Sequence, residues 1–133
     1  MIITLPYPPS VNHYWRHYRG RTVISREGRA FRDEVRALLA PAGDGKVPPN
    51  VGRIALARDA CPPDRRRRDL DNIQKPLLDA LEHAGVYADD SQIDVLLTRR
   101  CAREPGGKIT ARVMPLPIKR CPLCGGVINP ENN

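Results

Sequence analysis

The sequence predicts an α+β fold, in which a single mixed β-sheet carries two helices packed on one face. Short apolar segments that alternate with polar residues indicate strands, and two longer segments repeat with the helical period. Their order along the chain is β-β-α-β-α-β-β, so helices are few and some strands can pair antiparallel. At 133 residues, the chain is long enough for one domain with a modest core.

The first half of the chain predicts two short strands and one helix. Residues 1–5 are apolar and β-branched, and Pro6 ends that strand. A second short strand covers residues 22–24, and Ser25 directly after it is a favourable helix N-cap. Apolar residues then recur at i, i+4, i+7 and i+8, which places them on one helical face: Phe31, Val35, Leu38 and Leu39.

A third strand and a second helix follow. Residues 51–60 alternate weakly, and two consecutive prolines stop this strand. Apolar spacings of 3, 4, 4 and 3 indicate the helix: Leu70, Ile73, Leu77, Leu81 and Ala84. Gly85 closes it as a C-cap. Pro76 lies too deep for a helix that begins near residue 71, so either the regular helix begins nearer Lys75 or its first turn is distorted.

The last two strands are predicted to form a hairpin. Alternating apolar residues mark one strand over residues 93–97 and the other over residues 109–113. The loop between them, residues 103–108, contains a Pro-Gly-Gly run that suits such a connection.

The composition points to a polyanionic partner. Lysine and arginine number 22 against 15 acidic residues, which gives a net charge of +7. This excess favours nucleic acid first and an anionic membrane surface second. No apolar run approaches the roughly 20 residues needed to span a bilayer, and the N-terminus lacks the basic start and apolar stretch of a signal peptide. We therefore expect a cytoplasmic protein without membrane attachment.

Rings and cations interleave over residues 12–21, a pattern typical of a nucleic-acid-binding arm. Rings stack on unpaired bases, and arginines bind phosphates. The candidate DNA-binding residues of this arm are Tyr14, Trp15, Arg16, Arg19 and Arg21. The alternative is that the rings cover the core while the arginines are solvated on a loop.

The most informative stretch covers residues 64–75, where four consecutive arginines precede two aspartates and a lysine. Its candidate site residues are Arg65, Arg66, Arg67, Arg68, Asp69, Asp71 and Lys75. Arginine is an always-charged donor suited to phosphate, and paired carboxylates suit a hard divalent cation. The combination predicts a site that binds a phosphodiester and cuts it.

The spacing of the two aspartates favours a position just before the helix. In an extended segment, residues i and i+2 point the same way, so Asp69 and Asp71 can converge on one cation there. On a regular helix they would diverge by about 200°. A magnesium ion usually takes one or two carboxylates plus waters and phosphate oxygens, and it would activate a water for attack. Lys75 would then neutralise developing charge or help position the nucleophilic water.

Simpler interpretations of this stretch stay open. Asp71 or Asn72 can be a helix N-cap, since capping aspartates are far commoner than catalytic ones. The arginines can form a solvated loop, or can bind phosphate without cleavage. A further pair, Asp89 and Asp90, follows the helix at its other end. These two join the site only if the loop curls back or a second subunit brings them in.

The domain is expected to cover residues 1–117, and residues 118–133 form a C-terminal tail. Cys121 and Cys124 in this tail have the Cys-Pro-x-Cys-Gly-Gly spacing of a zinc knuckle. A structural Zn²⁺ needs four ligands, which a second tail or the remaining cysteines and histidines would have to complete. The alternative is a tail with two free thiols, because half a motif is a weak signal.

Across the arginine–aspartate block and its surroundings, the sequence resembles the RusA family of Holliday junction resolvases. The matching motifs keep their order over roughly residues 2–114. They are Leu5-Pro6-x-Pro8-Pro9-Ser10-x-Asn12, Arg19-Gly20-Arg21, Asp64-Arg-Arg-Arg-Arg-Asp69-Leu70-Asp71-Asn72, Lys75, Asp79-Ala80-Leu81, Gly85 and Asp89-Asp90-x-Gln92. The arginine–aspartate block, combined with the proline-rich opening, is the most specific part of this resemblance.

The resemblance implies a RusA-like, homodimeric, Mg²⁺-dependent endonuclease that binds four-way DNA junctions and nicks two opposed strands symmetrically. The residues that it implies as catalytic are Asp69, Asp71, Asp90 and Lys75, with the three aspartates as Mg²⁺ ligands. Asp89 is not expected to be a ligand. A two-fold dimer suits two coordinated cuts, and it would bury surface that an aromatic-poor core lacks.

The implied biological role lies in DNA recombination, repair or phage DNA processing. Two other functions stay open at this point. One is a DNA-binding protein that does not cut, and the other is a metal-dependent nuclease acting on flaps or other branched DNA.

Overall fold

The computed structural model describes residues 1–40, 52–116, 121 and 123–127. These residues form an α+β fold with a mixed sheet and three helices. The strands are β1 (Ile2–Leu5), β2 (Trp15–Tyr18), β3 (Arg21–Ile24), β4 (Ile54–Cys61), β5 (Ile93–Arg100) and β6 (Lys108–Pro115), and the helices are α1 (Val11–Tyr14), α2 (Arg26–Leu39) and α3 (Gln74–His83). Residue 51, where the third predicted strand begins, and most of the predicted tail lie outside the described residues. Within the described part, none of the helices has the length and apolar character that crossing a bilayer requires.

Strand β4 lies inside the four-stranded sheet, whose order is β1-β6-β4-β5. It pairs antiparallel with β6 and parallel with β5, so the predicted mixed character is confirmed. The predicted hairpin between the last two strands is wrong, because β4 separates them. Most residues of β4 are buried, on both faces, whereas β5 is largely exposed and carries three charged residues, Asp94, Arg99 and Arg100. Burial of apolar surface therefore favours β4 inside the sheet and β5 at an edge.

Strands β2 and β3 form a separate two-stranded hairpin, so the prediction of a single sheet is also wrong. Tyr18 pairs with Arg21, which leaves Arg19 and Gly20 as a two-residue turn. Both turn residues have positive φ, 48° and 72°, as in the type I′ turns that match the twist of a hairpin. The sequence did not predict α1 and β2, because four residues each are too few to show a period.

Helix α2 begins, as predicted, after the N-cap Ser25, whose Oγ accepts a hydrogen bond from the Gly28 N–H at 3.0 Å. The buried residues of its inner face are Gly28, Phe31, Val35 and Leu39. Leu38 was expected on this face but is 52% exposed. The buried stripe is therefore narrower than the apolar pattern suggested.

A 3₁₀ turn over Asp71–Ile73 leads into α3 and accommodates Pro76. The regular helix begins only after this turn, so Pro76 lies in its first turn, where backbone N–H groups have no intrahelical partner. At the other end, Gly85 has a φ of 77°, and the Val86 N–H donates to the Leu81 carbonyl at 3.0 Å. The predicted glycine C-cap is confirmed.

The core lies between the helices and one face of the four-stranded sheet, and a buried cation joins its parts. Arg58 on β4 is 1% exposed, and it donates to the Gln74 side chain and to Oγ1 of Thr98, the latter at 2.8 Å. Burial lowers the pKa of Arg58 to about 10. These bonds connect the first turn of α3 to β4 and β5, directly next to Lys75.

Candidate active site

An irregular segment between β4 and the 3₁₀ turn, residues 64–68, forms what we call the arginine loop. The Asp64 carboxylate accepts hydrogen bonds from the Arg66 N–H at 2.8 Å and from Nη2 of Arg68 at 3.0 Å. The Arg68 guanidinium, and after it the Arg66 backbone, lower the pKa of Asp64. Arg100 of β5 donates to the Arg68 carbonyl. The loop is therefore held together and fixed to the sheet by its own charged groups.

These contacts divide the four arginines into two groups. Arg68 is partly buried, pairs with Asp64 and lies 5.9 Å over the ring of Tyr7. The exposed members are Arg65, Arg66 and Arg67. The charge of Arg68 is thus largely used within the protein, whereas the other three present theirs to solvent.

Asp69 and Asp71 follow the arginine loop, and both are exposed. The extended backbone expected between them is wrong, because Leu70 has helical angles (φ −66°, ψ −28°) and Asp71 opens the 3₁₀ turn. The N-cap positions of the 3₁₀ turn and of α3 are occupied by Leu70 and Ile73, and neither makes a side-chain capping bond. The alternative in which Asp71 or Asn72 is a helix N-cap is therefore not supported. Within the part of the chain that the structure describes, neither carboxylate makes a hydrogen bond or ion pair. Both are therefore available to an external cation.

Lys75 lies one turn further on, between two carboxylates. Its Nζ is 2.8 Å from Oδ1 of Asp79 and 3.2 Å from Oδ2 of Asp90. The loop after α3 therefore curls back far enough for Asp90 to reach the helix near its start. Hydrogen bonds to Asp79, and then to Asp90, raise the pKa of Lys75. Asp79 was absent from the predicted site, although its i, i+4 spacing from Lys75 on a helix signals the ion pair.

Asp89 has a structural role. Its carboxylate accepts a hydrogen bond from the Ser91 N–H at 2.8 Å, and the Gln92 side chain completes a capping box. The Asp90 N–H donates to Oε2 of Glu82 at 3.2 Å. These bonds hold Asp90 against Lys75, and they use the Asp89 carboxylate for capping.

The predicted Mg²⁺ ligands do not form a preassembled cage. Among residues 1–40, 52–116, 121 and 123–127, no group of three or more His, Cys, Asp or Glu side chains is close enough to hold a metal ion. Asp69, Asp71 and Asp90 are thus not brought together in one chain. The exposed, unpaired carboxylates of Asp69 and Asp71 still fit Mg²⁺, which takes one or two carboxylates and fills its other positions with water and phosphate oxygens.

The Zn²⁺ prediction gains no support from the cysteines. Cys121 and Cys124 lie in a turn that a hydrogen bond from the Gly125 N–H to the Cys121 carbonyl closes at 2.9 Å. Backbone N–H groups of Cys124 and Leu123 lower the pKa of the Cys121 thiol. Two thiols are half of a structural zinc site. Cys61 pairs with the first residue of β6, whereas the tail follows the last residue of β6. The position of Cys61 therefore gives no reason to count it as a third zinc ligand.

The predicted aromatic arm lies in α1 and the β2–β3 hairpin, and two of its three aromatic rings, those of Tyr14 and Trp15, face inwards. The prediction that Tyr14 binds DNA is wrong, because Tyr14 is 0% exposed. The ring of Trp15 packs edge-on against it at 5.1 Å and is itself partly buried against the core. Apolar burial therefore holds these rings where stacking on a base would expose them.

The cations of the arm remain candidates for DNA binding. Arg16, Arg19 and Arg21 are exposed on the hairpin. The guanidinium carbons of Arg16 and Arg19 lie 5.5 and 5.2 Å from the centre of the Tyr18 ring. Tyr18 is 52% exposed and makes cation–π contacts with both of these arginines. Its ring is therefore the one that the arm presents to solvent.

A groove opens between a proline-rich segment, residues 6–10, and the arginine loop. Its volume is about 510 Å³, and Asp69 lies on its wall together with Tyr7, His13 and Asn72. None of Tyr7, His13 and Asn72 is among the site residues predicted from the sequence. The signal that could have pointed to them is a ring followed by two prolines and a polar turn, set against a separate arginine run.

The sequence is similar to proteins of one known family. A family model described as Endodeoxyribonuclease RusA matches residues 6–113. A Shigella sonnei (strain Ss046) protein named crossover junction endodeoxyribonuclease RusA is 52% identical over 93 residues, which cover 68% of this chain and 74% of that protein. The protein of the same name from Escherichia coli strain K12 is 50% identical over 93 residues, with the same coverage. A relative from Enterobacteria phage HK97, also named a crossover junction endodeoxyribonuclease, is 40% identical over 112 residues, which cover 84% of this chain and 92% of that protein.

The family match spans the whole candidate site. The arginine loop, the two exposed aspartates, Lys75 and the curled-back Asp90 all lie inside the matched residues 6–113. With more than half of its length matched, the chain belongs to the RusA family of endodeoxyribonucleases.

Proposed function

We propose that the chain is a Mg²⁺-dependent, structure-specific endodeoxyribonuclease that resolves Holliday junctions by paired symmetric nicks. The observation that carries the proposal is the pair of exposed, unpaired carboxylates, Asp69 and Asp71, directly after a loop with three exposed arginines. A protein that only binds DNA has no reason to place acid beside its phosphate contacts. The names of the relatives support a junction as substrate, and a role in recombination and repair follows from that substrate.

Each group of the site has a part in this proposal. The exposed arginines of the arginine loop bind the phosphates that flank the scissile bond. Asp69 and Asp71 would hold Mg²⁺, which when bound activates water and shields the scissile phosphate, and Asp90 would join them by turning away from Lys75 or from a second copy of the chain. Lys75 places a fixed positive charge where negative charge develops, and Asp79 orients its ammonium group.

The proposal includes a homodimer with a two-fold axis. Two coordinated cuts in a near-symmetric junction need two equivalent sites, which a two-fold dimer provides. Val95 and Leu96 on the edge strand β5 are 38% and 45% exposed. A second copy that covers such apolar surface would gain stability. Sedimentation of the protein at micromolar concentration tests this part directly, since a single monomeric species would contradict it.

The test of the activity is cleavage of a labelled mobile four-way junction, with matched linear duplex and flap DNA as controls. We expect paired nicks on the junction alone, in the presence of Mg²⁺, and no cleavage with chelator. Asp71→Asn removes one carboxylate charge with little change in shape, so we expect it to reduce cleavage by at least about 100-fold while junction binding persists.

The other outcomes identify the alternatives. Tight junction binding without cleavage under any metal would contradict the proposal and favour a DNA-binding protein. Cleavage of flaps or duplex as fast as the junction would favour a nuclease of broader substrate range.

A further inference from the structure

The groove beside Asp69 combines three kinds of wall. Its volume of about 510 Å³ lies within the roughly 300–1,000 Å³ of small-ligand sites. Tyr7 and prolines of two segments form an apolar side, Arg66 and Arg67 supply positive charge, and His13 and Asn72 supply polar groups. The contents of the groove are therefore expected to be flat, anionic and able to form hydrogen bonds.

The apolar side of the groove is held in place by distant parts of the chain. A Cβ atom on Gly107 would lie 2.7 Å from Cβ of Tyr7 and 3.0 Å from Cδ of Pro63, so only glycine allows this loop to pack so closely. Gly107 also has a φ of 71°, which glycine adopts without strain. On the other side, the Arg68 guanidinium lies over the ring of Tyr7. The protein itself therefore contacts the Tyr7 side chain on two sides, at its Cβ and over its ring.

A nucleotide has the chemistry that these walls require. A phosphate alone needs no flat apolar wall, and an apolar ligand needs no arginines. A base can lie against Tyr7 while the Asn72 amide and the His13 imidazole bond its edge. A base inside a duplex cannot reach such a wall, because its faces are covered by neighbouring bases, so it must first leave the stack.

We propose that this groove takes one unstacked nucleotide of the cut strand, next to the scissile phosphate. The inference rests on the proposed function and adds a binding site to it. A base held in the groove places the adjoining phosphate at Asp69 and Asp71.

The experiment measures how junction affinity changes when the base to be extruded is already unpaired. The cut position is first mapped by cleavage in Mg²⁺, which tests the proposed function by itself. Junctions with one mismatch within four base pairs of the cut are then titrated with the full chain in chelator. We expect the mismatch at the extruded position to tighten binding by at least about fivefold, because the cost of unpairing has been removed. The same mismatch far along an arm should change nothing.

Variants connect this gain to the groove. Tyr7→Ala and Asn72→Ala should each reduce the gain to less than about twofold, because each removes a contact to the extruded base. Leu38→Ala is the matched control, since it removes an exposed side chain of α2 outside the groove and should keep the full gain. Circular dichroism verifies that each variant is folded, and Asn72→Ala carries the test if Tyr7→Ala is not.

The results separate the two ideas. Paired cleavage without any mismatch gain, or an equal gain in Tyr7→Ala and Asn72→Ala, would overturn the groove while the proposed function stands. A wild-type chain that neither binds nor cuts junctions would overturn both.

Discussion

At the scale of single residues, the two carboxylates around Lys75 have different surroundings. Asp79 is 20% exposed and lies on the same helix, whereas Asp90 is 36% exposed at the end of a returning loop. Asp79 also makes the shorter contact, 2.8 Å against 3.2 Å. If Asp90 turns to a bound cation, Asp79 still holds the ammonium group. The less exposed partner is therefore the one that keeps Lys75 in position.

We expect Asp79→Asn to slow junction cleavage by about tenfold with little change in junction affinity, because an amide cannot hold the ammonium group by charge. Single-turnover cleavage and metal-free binding measure the two quantities. In a Lys75→Ala background, Asp79→Asn should cause no further loss. Glu34→Gln, an exposed acid on α2, is the control. Equal losses in both backgrounds would mean that Asp79 acts independently of Lys75.

At the scale of secondary-structure elements, α1 and α2 pack so closely that one position must be glycine. A Cβ on Gly28 would lie 2.6 Å from the carbonyl oxygen of Tyr14 and 3.0 Å from Cδ2 of its ring. The same carbonyl accepts a hydrogen bond from the Ser25 N–H at 2.8 Å, so it cannot move away freely. This contact holds Tyr14 in the core and so positions the hairpin that follows it.

Gly28→Ala should lower the free energy of unfolding, although alanine is the better helix former. Overpacking costs about 1–3 kcal/mol, against a gain in helix propensity of about 1 kcal/mol. Urea unfolding, followed by circular dichroism, measures the net change in the free energy of unfolding. Ala30→Gly, at an exposed position of the same helix, calibrates the propensity alone. A Gly28→Ala protein that is more stable than the wild type would show that the helices move apart at no cost.

The four-stranded sheet has a charged clasp on one face. The Asp59 carboxylate of β4 accepts a hydrogen bond from Nε of Arg99 on β5 and another from Nη1 of Arg112 on β6, each at 2.7 Å. The hydrogen bond from Arg99, and after it the one from Arg112, holds the pKa of Asp59 below its usual value. One carboxylate therefore connects three of the four strands.

This clasp predicts a pH dependence of stability. Because the folded-state pKa of Asp59 is lowered, its contribution is complete above the unfolded pKa of about 3.9 and is lost as the pH falls through the folded value. We expect Asp59→Asn to lower the free energy of unfolding by about 1–2 kcal/mol at neutral pH. The difference from the wild type should shrink below about pH 3.5. Urea unfolding at neutral pH and below about pH 3.5 measures this difference in the free energy of unfolding. A difference that does not change with pH would contradict the role given to Asp59.

At the scale of the whole molecule, the folded structure determines which positive charges are available to DNA. The net charge of +7 attracts any polyanion, but the exposed arginines of the arginine loop lie directly before the free carboxylates. Asp64 neutralises Arg68 and leaves the charge of its neighbours unpaired or only weakly paired. General attraction therefore comes from the whole surface, whereas the phosphates nearest to the cut are bound by the loop.

Replacing loop arginines should change the salt dependence of junction binding. Each phosphate contact releases counterions, so the logarithm of the junction association constant K falls as log[salt] rises. Arg66→Ala and Arg67→Ala should each reduce the magnitude of this negative slope by about 1. Anisotropy titrations between about 50 and 200 mM salt measure that slope. Arg36→Ala, an exposed arginine on α2, should leave the slope nearly unchanged. An equal effect of all three variants would mean that the loop has no special role in binding DNA.

Local signals in the sequence determined much of this protein. The Ser25 cap, the Gly85 C-cap and the apolar spacings of α2 and α3 depend on residues within a few positions, so they were predictable. The arginine–aspartate block was equally visible, because its chemistry lies in twelve consecutive residues. The resemblance that it carries is confirmed by the family match.

The tertiary structure decided which of these residues meet. Only the sheet shows that β4 separates β5 and β6, and only the packing of α1 shows that Tyr14 is buried rather than available to DNA. The approach of Asp90 to Lys75 and the groove beside Asp69 likewise join segments far apart in the chain. Strand order, burial and long-range contacts depend on the free energy of the whole packed domain, which no local pattern contains.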